Sequence, residues 1–279
     1  MAYKNILVHV GSDARSIVRI DHAIALARRF DAHLTGLFVA PRPALPFGLD
    51  GVASVDIYPM LEEHLQGLAE RARATFERQV QRQDAVQYEW RSQIGDPVDA
   101  ISLNARYHDL VVLGQDDPSR PVDGLPPGFA GSVALGAGRP VLVLPHSGDF
   151  ASLGQRVLLA WNGRPEATRA LTDALPLLQR ASRVIVLVVN ADSEPGSHGQ
   201  APGSDIALYL ARHGVHAEVL NQTVFGVDAG SVLLSSAADL EVDLLVMGAY
   251  GHSRLLERIL GGTTQVLLDS MTVPVLMSH

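Results

Sequence analysis

The sequence predicts an α/β protein made of two tandem five-stranded parallel-sheet sandwiches, each with helices on both faces of its sheet. Three observations predict it. Apolar strand-like runs alternate with helical stretches, the strands are apolar without interruption, and the whole pattern occurs twice along the 279 residues. Hydrophobic residues make up 47% and charged residues 19%, which supplies a core and excludes a disordered chain.

Each half opens with a strand, a small polar turn and an amphipathic helix. The first strands are residues 6–10 and 157–161. In each of the following helices, apolar residues spaced by three or four positions share one face. They are Ile17, Ile20, Ile24 and Ala27 in the first half and Ala170, Ala174 and Leu178 in the second.

Three further strands repeat in the same order. Residues 33–39 match 183–189, residues 109–114 match 243–248, and each half closes on a strand led by Pro140 or Pro274. The offset between equivalent positions falls from 151 to 134 residues, so the first half is the longer one. We expect its extra residues in a Pro-rich surface loop, 41–59. Residues 147–153 form the link, which predicts domains at 1–147 and 154–279.

Composition narrows the classes of function. A net charge of −8 argues against non-specific nucleic-acid binding, and the absence of cysteine excludes disulfides and thiol chemistry. No apolar run reaches the roughly 18 residues of a membrane span, and the N-terminus shows no signal-peptide pattern. We expect a cytoplasmic protein that binds neither membranes nor nucleic acids. The histidines show no metal-ligand spacing, so no metal site is expected.

A glycine-rich stretch near the C-terminus is the main candidate for a binding site. Gly248, Gly251 and Gly261 are spaced as G-x2-G-x9-G after a strand, and a helix over 263–270 follows. Glycines let a backbone approach a bulky anion, and free amides at a helix start suit phosphate. Sheets of this class bind ligands at the carboxyl ends of their strands, where the strand order switches.

The doubled α/β unit with this glycine spacing resembles the universal stress protein family in its tandem form. Residues 95–97, 137–140 and 160–163 also look like family segments, so the resemblance covers nearly the whole chain. It implies a strand order of 3-2-1-4-5 in each half. It further implies that the last strands of two domains pair about a pseudo-two-fold axis, which the two halves of one chain could supply internally. A homodimer of chains is left open.

The resemblance implies an adenine nucleotide, ATP with ADP or AMP as alternatives and Mg²⁺ accompanying it, in the C-terminal half. Gly248 and Gly251 would approach the ribose and phosphates, and Gly261, Gly262 and Thr263 would offer amides to the phosphates. Asn162 stands where the family has an adenine-contacting aspartate. The other residues of the implied site are Ala160, Val189, Met247 and Thr264.

Two departures weaken that match. Gly262 stands where the family has Ser or Thr, which removes a hydroxyl contact to phosphate unless Thr263 or Thr264 replaces it; one hydrogen bond is worth roughly 0.5–1.5 kcal/mol. The first half departs further, since Gly11 replaces the aspartate, and Asp116 and Asp117 follow Gly114. Carboxylates repel phosphate, so we predict that the first half holds no nucleotide triphosphate.

Plain structural interpretations stay open beside these. The glycines could serve only turns and helix starts, and Asn162 could be a turn residue with positive φ. His252, Arg254 and Arg258 could face phosphate or solvent. The stretch contains no Walker A motif and no evident general base, so efficient ATP hydrolysis is not expected.

Three hypotheses follow. The first is a stress-response regulator that binds an adenine nucleotide and acts on a protein partner through ligand-dependent contacts. The second is a nucleotide-free interaction module whose final strands take part in an interface. The third, ranked last, is an enzyme related to the adenylating ATP-pyrophosphatases, whose S-G-G-x-D-S loop the sequence does not reproduce.

Overall fold

The computed structural model describes residues 2–13, 15–41, 57–83, 86–117, 119, 125–191, 201–250 and 262–279. The elements of the first half are β1 (Asn5–His9), α1 (Ser16–Phe30), β2 (His33–Ala40), α2 (Ile57–Gln83), β3 (Tyr88–Ile94), α3 (Pro97–Ala105), β4 (Leu110–Gly114), α4 (Phe129–Gly136) and β5 (Val141–Leu144). Those of the second half are β6 (Arg156–Ala160), α5 (Pro165–Leu178), β7 (Arg183–Val189), α6 (Ser204–Arg212), β8 (Ala217–Gln222), α7 (Ala229–Asp239), β9 (Leu244–Gly248), α8 (Gly262–Ser270) and β10 (Val275–Ser278).

The strands form one ten-stranded sheet in the order β3-β2-β1-β4-β5-β10-β9-β6-β7-β8. All neighbours within a half are parallel, and both halves have the order 3-2-1-4-5. The predicted α/β architecture and the repeated strand order are therefore confirmed. The inner strands, such as β4 and β9, are buried on both faces, which explains why their runs are apolar without alternation, whereas the outer strands β3 and β8 are partly exposed.

The two halves join through an antiparallel pair, β5 with β10, in which Leu142 lies opposite Leu276. This is the pairing of last strands that the resemblance implies, supplied within one chain. It makes one continuous sheet instead of two separate ones. It also corrects one expectation, because the final strands lie in the middle of the sheet and cannot add a strand from another chain.

The core lies in two layers, one on each face of the sheet, and each layer runs through both halves. Along β1, Ile6 and Val8 belong to one layer and Leu7 to the other, as the two-residue period of a strand requires. Helices α1, α2, α5 and α6 cover the first layer, and α3, α4, α7 and α8 cover the second. Because each layer packs against the strands of both halves, it supports the carboxyl ends of the strands, where the candidate sites lie.

Local signals fix several helix starts. The Asp96 carboxylate accepts from the Asp99 amide at 3.0 Å and Pro97 follows it, so α3 begins with a capped first turn. Asp228 caps α7 in the same way, accepting from the Ser231 amide at 2.9 Å. Within the described ranges, the helices lack the combination of length and apolarity that crossing a membrane requires.

Three details of the sequence prediction need correction. Ile17 is 42% exposed, whereas Ile20, Ile24 and Ala27 are buried, so the core face of α1 begins one turn later than predicted. The loop predicted at 41–59 falls mostly outside the described residues, and its last part is helical because α2 begins at Ile57. Helix α8 begins at Gly262, one residue before the predicted start.

Side chains of α1 and of the turn that follows α5 connect the halves near the first layer. The Arg29 guanidinium donates to the carbonyl oxygens of Leu153 at 2.9 Å and Arg180 at 3.1 Å. The Arg180 guanidinium in turn lies 4.7 Å from the centre of the Phe30 ring. Since these bonds satisfy carbonyl groups at element ends, they stabilise the arrangement of the two halves.

Candidate functional site

A cavity of about 170 Å³ lies at the carboxyl ends of β6 and β9, the switch point of the second half. Eight of the ten residues proposed from the sequence line it: Ala160, Asn162, Val189, Met247, Gly248, Gly262, Thr263 and Thr264. The other two, Gly251 and Gly261, lie outside the described residues, as do His252, Arg254 and Arg258. The fold thus brings together residues from three strand ends and one helix start.

The start of α8 is open towards solvent. Within the described residues, a Cβ built on Gly262 would meet no atom within 4 Å, and the first-turn residue Thr263 is only half-buried. Thr264, by contrast, is buried, and its hydroxyl accepts from the Tyr250 amide at 3.3 Å. Of the two candidate replacements for the missing hydroxyl, Thr263 is therefore the more accessible one. The free amides and the dipole of this helix end favour an anion.

Gly248 has a packing reason for its missing side chain. A Cβ on it would lie 2.6 Å from both the Ala167 nitrogen and the Glu166 carbonyl carbon at the start of α5. The glycine is required so that this helix can approach β9 closely. The spacing that suggested ligand approach at this position therefore also reflects helix–strand packing.

Asn162 shapes the turn after β6. Its Oδ1 accepts from the Arg164 amide at 3.1 Å, a side-chain-to-backbone bond typical of Asn in turns. The positive φ expected at Asn162 falls instead on Gly163, at 72°. The exposed Asn162 amide group keeps hydrogen-bonding capacity beyond this contact.

Several lining residues were missed by the sequence analysis. Leu187 and Leu233 extend the apolar wall formed by Val189 and Met247, and Arg164 adds a positive charge at the rim. Their positions on β7, α7 and the β6–α5 turn could be predicted, but which side of an element faces the cavity could not. No carboxylate belongs to the part of this lining that the structure describes.

Tyr250 connects this cavity to the first half. It has a left-handed φ of 56° and lines the cavity, while a Cβ on Gly131 of α4 would nearly coincide with its hydroxyl. Burial, with the charges of Asp116 and Asp269, raises the pKa of Tyr250 to about 12. Gly131 is therefore small because the tyrosine ring ends against α4.

The first half has its own cavity at the matching position, the carboxyl ends of β1 and β4. It measures about 490 Å³, within the range of small-molecule sites, whereas the cavity of the second half lies below that range. Its lining includes His9, Asp13, Arg19, Asp116 and Phe129. From the sequence, this region was expected to be a degenerate copy of the nucleotide site, and no cavity was predicted.

A carboxylate occupies the helix start in this first cavity. Gly128, which precedes α4, stands at the same 134-residue offset from Gly262 that separates Gly114 from Gly248. The Phe129 amide donates to Asp116 Oδ2 at 3.0 Å. Burial raises the pKa of Asp116, opposed by bonds from the first amides of α4. The protein thus supplies its own anion where the second half is open.

An ion pair fills the space between β1 and β4. Arg19 on α1 is buried and binds Asp13 with both nitrogens, at 3.0 and 2.5 Å. A Cβ on Gly114 would lie 2.5 Å from Arg19 Nη1, so the guanidinium covers the glycine. Burial alone would raise the pKa of Asp13, but the bonds and charge of Arg19 hold it below its usual value.

His9 completes the floor of the first cavity. The ring is 3% exposed and lies 5.4 Å from the ring of Phe129. Burial, and next the charge of Arg19, lower the pKa of His9 to about 3, so the imidazole is uncharged at neutral pH. The corresponding residue of β6, at the 151-residue offset that separates Asn5 from Arg156, is Ala160.

Comparisons with known proteins agree with this geometry. The model of the universal stress protein family matches residues 2–145 and 154–279. The universal stress protein Slr1230 of Synechocystis is 28% identical over 140 residues, which spans 50% of this chain and 46% of that protein. The solved structure of a universal stress protein from Archaeoglobus fulgidus superimposes with a TM-score of 0.72 at 17% identity, covering 98% and 97% of the two chains. A protein from Pseudomonas aeruginosa UCBPP-PA14 described under the same family gives a TM-score of 0.61 at 17% identity over 99% and 93%.

Proposed function

Because the chain belongs to the universal stress protein family, with a family match in each half, we propose that its C-terminal half binds an adenine nucleotide, ATP with ADP or AMP as alternatives. We further propose that this binding has a regulatory role in a stress response, through contacts with a protein partner. The two matched segments correspond to domains that we place at 1–147 and 154–279.

One observation supports the nucleotide most strongly: the start of α8, which the described residues leave uncovered, lies beside an apolar wall at the switch point of the sheet. Amides at Gly262 and Thr263 would donate to phosphate oxygens. The side chains of Leu187, Val189 and Met247 would contact the base, and the Arg164 guanidinium would add attraction for the phosphates. These residues fit the chemistry of a nucleotide.

The same lining favours regulation over catalysis. Phosphoryl transfer uses a carboxylate or another polar group to position the nucleophile, and metal binding uses carboxylate oxygens. Over the described part of the chain, the cavity is lined by neither aspartate nor glutamate. The described part of the lining would thus leave any Mg²⁺ that accompanies the nucleotide to the phosphates and water.

Isothermal titration calorimetry with ATP, ADP and AMP tests the proposal directly, and the first half suggests the sharpest variant. Gly262→Asp would place a carboxylate at the start of α8, as Asp116 does at α4. Because the Cβ position at Gly262 is open, the fold should tolerate it. We expect ATP binding at least tenfold weaker in this variant than in the isosteric, uncharged Gly262→Asn. Absence of heat with all three nucleotides at millimolar concentration would refute nucleotide binding.

A nucleotide-free interaction module is the second candidate. The volume of about 170 Å³, below the usual range for ligand sites, favours it. It predicts that saturating ATP leaves the melting temperature unchanged. If ATP binds, a free ATP concentration of 100 times Kd would stabilise the folded state by about 2.7 kcal/mol. Its interface would use surfaces other than β5 and β10, which are already paired.

A further inference from the structure

We propose that the cavity of the N-terminal half is a second ligand site, which binds an uncharged small molecule with a predominantly apolar body. The proposal concerns a different cavity from the nucleotide site and does not depend on it. It follows from the size of the cavity, from its walls and from the bonds that Arg15, Arg19 and Asp116 already make within the protein.

The walls are largely apolar and come from separate elements. Val18 of α1, Leu144 of β5 and Phe129 of α4 line the cavity together with Leu125 and Pro126 of the segment before α4. At about 490 Å³ the space is large enough for a ligand of several rings, and burial of apolar surface would drive binding. Val18, Phe129 and Leu144 belong to two helices and a strand, so regular secondary structure holds this part of the wall.

The charges in the lining disfavour an anion. Among the described residues the lining carries four carboxylates (Asp13, Asp116, Asp117 and Asp269) and two guanidinium groups (Arg15 and Arg19). Arg19 is bound to Asp13, and Arg15 donates to the carbonyl oxygens of Gly148 at 2.7 Å and Pro145 at 3.4 Å. The helix start that would receive a phosphate already holds Asp116.

One polar group offers a contact for the ligand. His9 lines the cavity next to Phe129, and its imidazole is uncharged because the site is buried beside Arg19. A neutral imidazole can donate or accept one hydrogen bond without any charge on its partner. A hydroxyl, ketone or amide on the ligand would suit it.

Both halves of the chain build this site. Gln265, Leu268 and Asp269 of α8 belong to its lining, although α8 starts at the other cavity. The Gln115 amide donates to the Leu268 carbonyl at 2.7 Å and accepts from the His146 amide at 3.0 Å, which fixes α8 against the end of β5. The lining of the cavity is therefore complete only in the paired arrangement of the two halves.

Fluorescence titration of the full chain with two dyes tests the proposal. Nile red is uncharged with an apolar ring system, and anilinonaphthalene sulfonate is a comparable apolar anion. We expect Nile red to bind at one site per chain with micromolar Kd, and the anionic dye to bind at least tenfold more weakly. Saturating ATP should not displace Nile red.

Two filling variants locate the dye. Val18→Trp and Leu125→Trp replace half-buried residues of the wall, so each would occupy the cavity and weaken Nile red binding at least tenfold. The matched control, Ala229→Trp, fills the other cavity and should leave the Kd for Nile red within twofold. A cooperative melting transition checks that each variant is folded.

Unchanged Nile red binding in both filling variants would overturn the site. Equal or tighter binding of the anionic dye to the wild-type chain would overturn the ligand class, and this measurement needs no variant. Failure of Nile red to bind the wild-type chain would overturn both.

Discussion

The two halves share one backbone plan but treat the same position in opposite ways. At the carboxyl ends of the first and fourth strands, the first half places the Arg19–Asp13 pair, the uncharged His9 and the capping Asp116. The second half has Ala170 and Ala160 at the positions of Arg19 and His9 and an open helix start at Gly262. A small number of side chains thus decides whether this position of the duplicated fold presents internally bonded charges to a ligand or the exposed start of a helix.

This difference has an energetic basis. Buried charges are costly unless they are paired, so the first half must satisfy Arg19, Asp13 and Asp116 within the protein. Once these groups are bonded within the protein, they keep little capacity to bind a charged ligand. In the second half the corresponding groups are backbone amides at a solvent-facing helix end, which lose little by exchanging water for phosphate.

Breaking the ion pair of Arg19 and Asp13 should cause the largest loss of stability. Asp13→Asn leaves the buried Arg19 without an anion, and we expect a loss of about 3–5 kcal/mol in the free energy of unfolding at pH 7. Because the pKa of Asp13 is lowered in the folded state, the pair stabilises above the unfolded pKa of about 3.9, and this contribution is lost as pH falls through the folded value. Urea denaturation of the wild-type chain and the variant at pH 7 and pH 3 measures the loss of stability and its dependence on pH.

The exposed pair of Lys4 and Asp31 supplies the control for this measurement. Asp31 lies at the C-terminal end of α1 with a left-handed φ of 51°, which Asn tolerates, so Asp31→Asn should leave stability unchanged. An Asp13→Asn variant as stable as Asp31→Asn would contradict the role given to the buried pair.

His9 should make the first half sensitive to acid. Its pKa of about 3 lies below the unfolded value of about 6.5. Between these values the unfolded chain binds one proton more, so stability is lost as pH falls, by about 1.4 kcal/mol per pH unit. His9→Gln should remove this slope, a difference of about 3 kcal/mol between pH 6 and pH 4. Thermal or urea unfolding at several pH values measures it.

The exposed His64 gives the matched variant, His64→Gln, which makes the same substitution at the surface of α2. Equal slopes for the His9 and His64 variants would show that His9 does not titrate as the geometry requires.

A pair of glycine substitutions compares the packing of the halves. Gly248→Ala would press a Cβ against backbone atoms of Ala167 and Glu166, and overpacking of this kind costs about 1–3 kcal/mol. Gly114→Ala would meet the end of the Arg19 side chain, which can shift, so we expect a smaller loss. Urea denaturation of both variants gives the order, and the reverse order would be inconsistent with the close approach of α5 to β9.

The smallest effect should come from restoring a hydroxyl. Gly262→Ser would return the group whose absence distinguishes the second half from the family pattern. If ATP binds at α8, we expect tighter binding by about 1 kcal/mol, roughly fivefold. Calorimetry measures it, with Gly262→Ala as the control that adds a Cβ but no donor. Equal affinities for the two variants would place the phosphate away from this residue.

Much of the fold could be predicted from the sequence because it depends on local and repeated patterns. The apolar runs that end at Gly114 and Gly248 are predicted as strands from their composition alone. The repeat shows that the two strands are equivalent. The antiparallel pairing of β5 and β10 came only from the family resemblance, since nothing local to these strands specifies the partner. Ile17 was misplaced because its spacing fits the apolar face while the first turn of α1 extends past the core.

The cavities were harder to predict. Asp13 and Arg19 are six residues apart across a turn and a helix start, and only the three-dimensional path of that turn brings their side chains together. The role of Asp116 could not be predicted for the same reason. Its carboxylate was expected to repel phosphate, and in the structure it accepts a hydrogen bond from the Phe129 amide at the start of α4. Conversely, the residues around Gly248 could be listed in advance because the motif fixes their strand ends, although the volume they enclose depends on neighbours such as Leu233 and Tyr250.

The antiparallel seam between β5 and β10 has a consequence for how the molecule meets its surroundings. Because the strands of one half run opposite to those of the other, their carboxyl ends lie at opposite rims of the sheet. The mouths of the two cavities therefore look away from each other. A ligand bound in one cavity thus leaves the mouth of the other cavity uncovered.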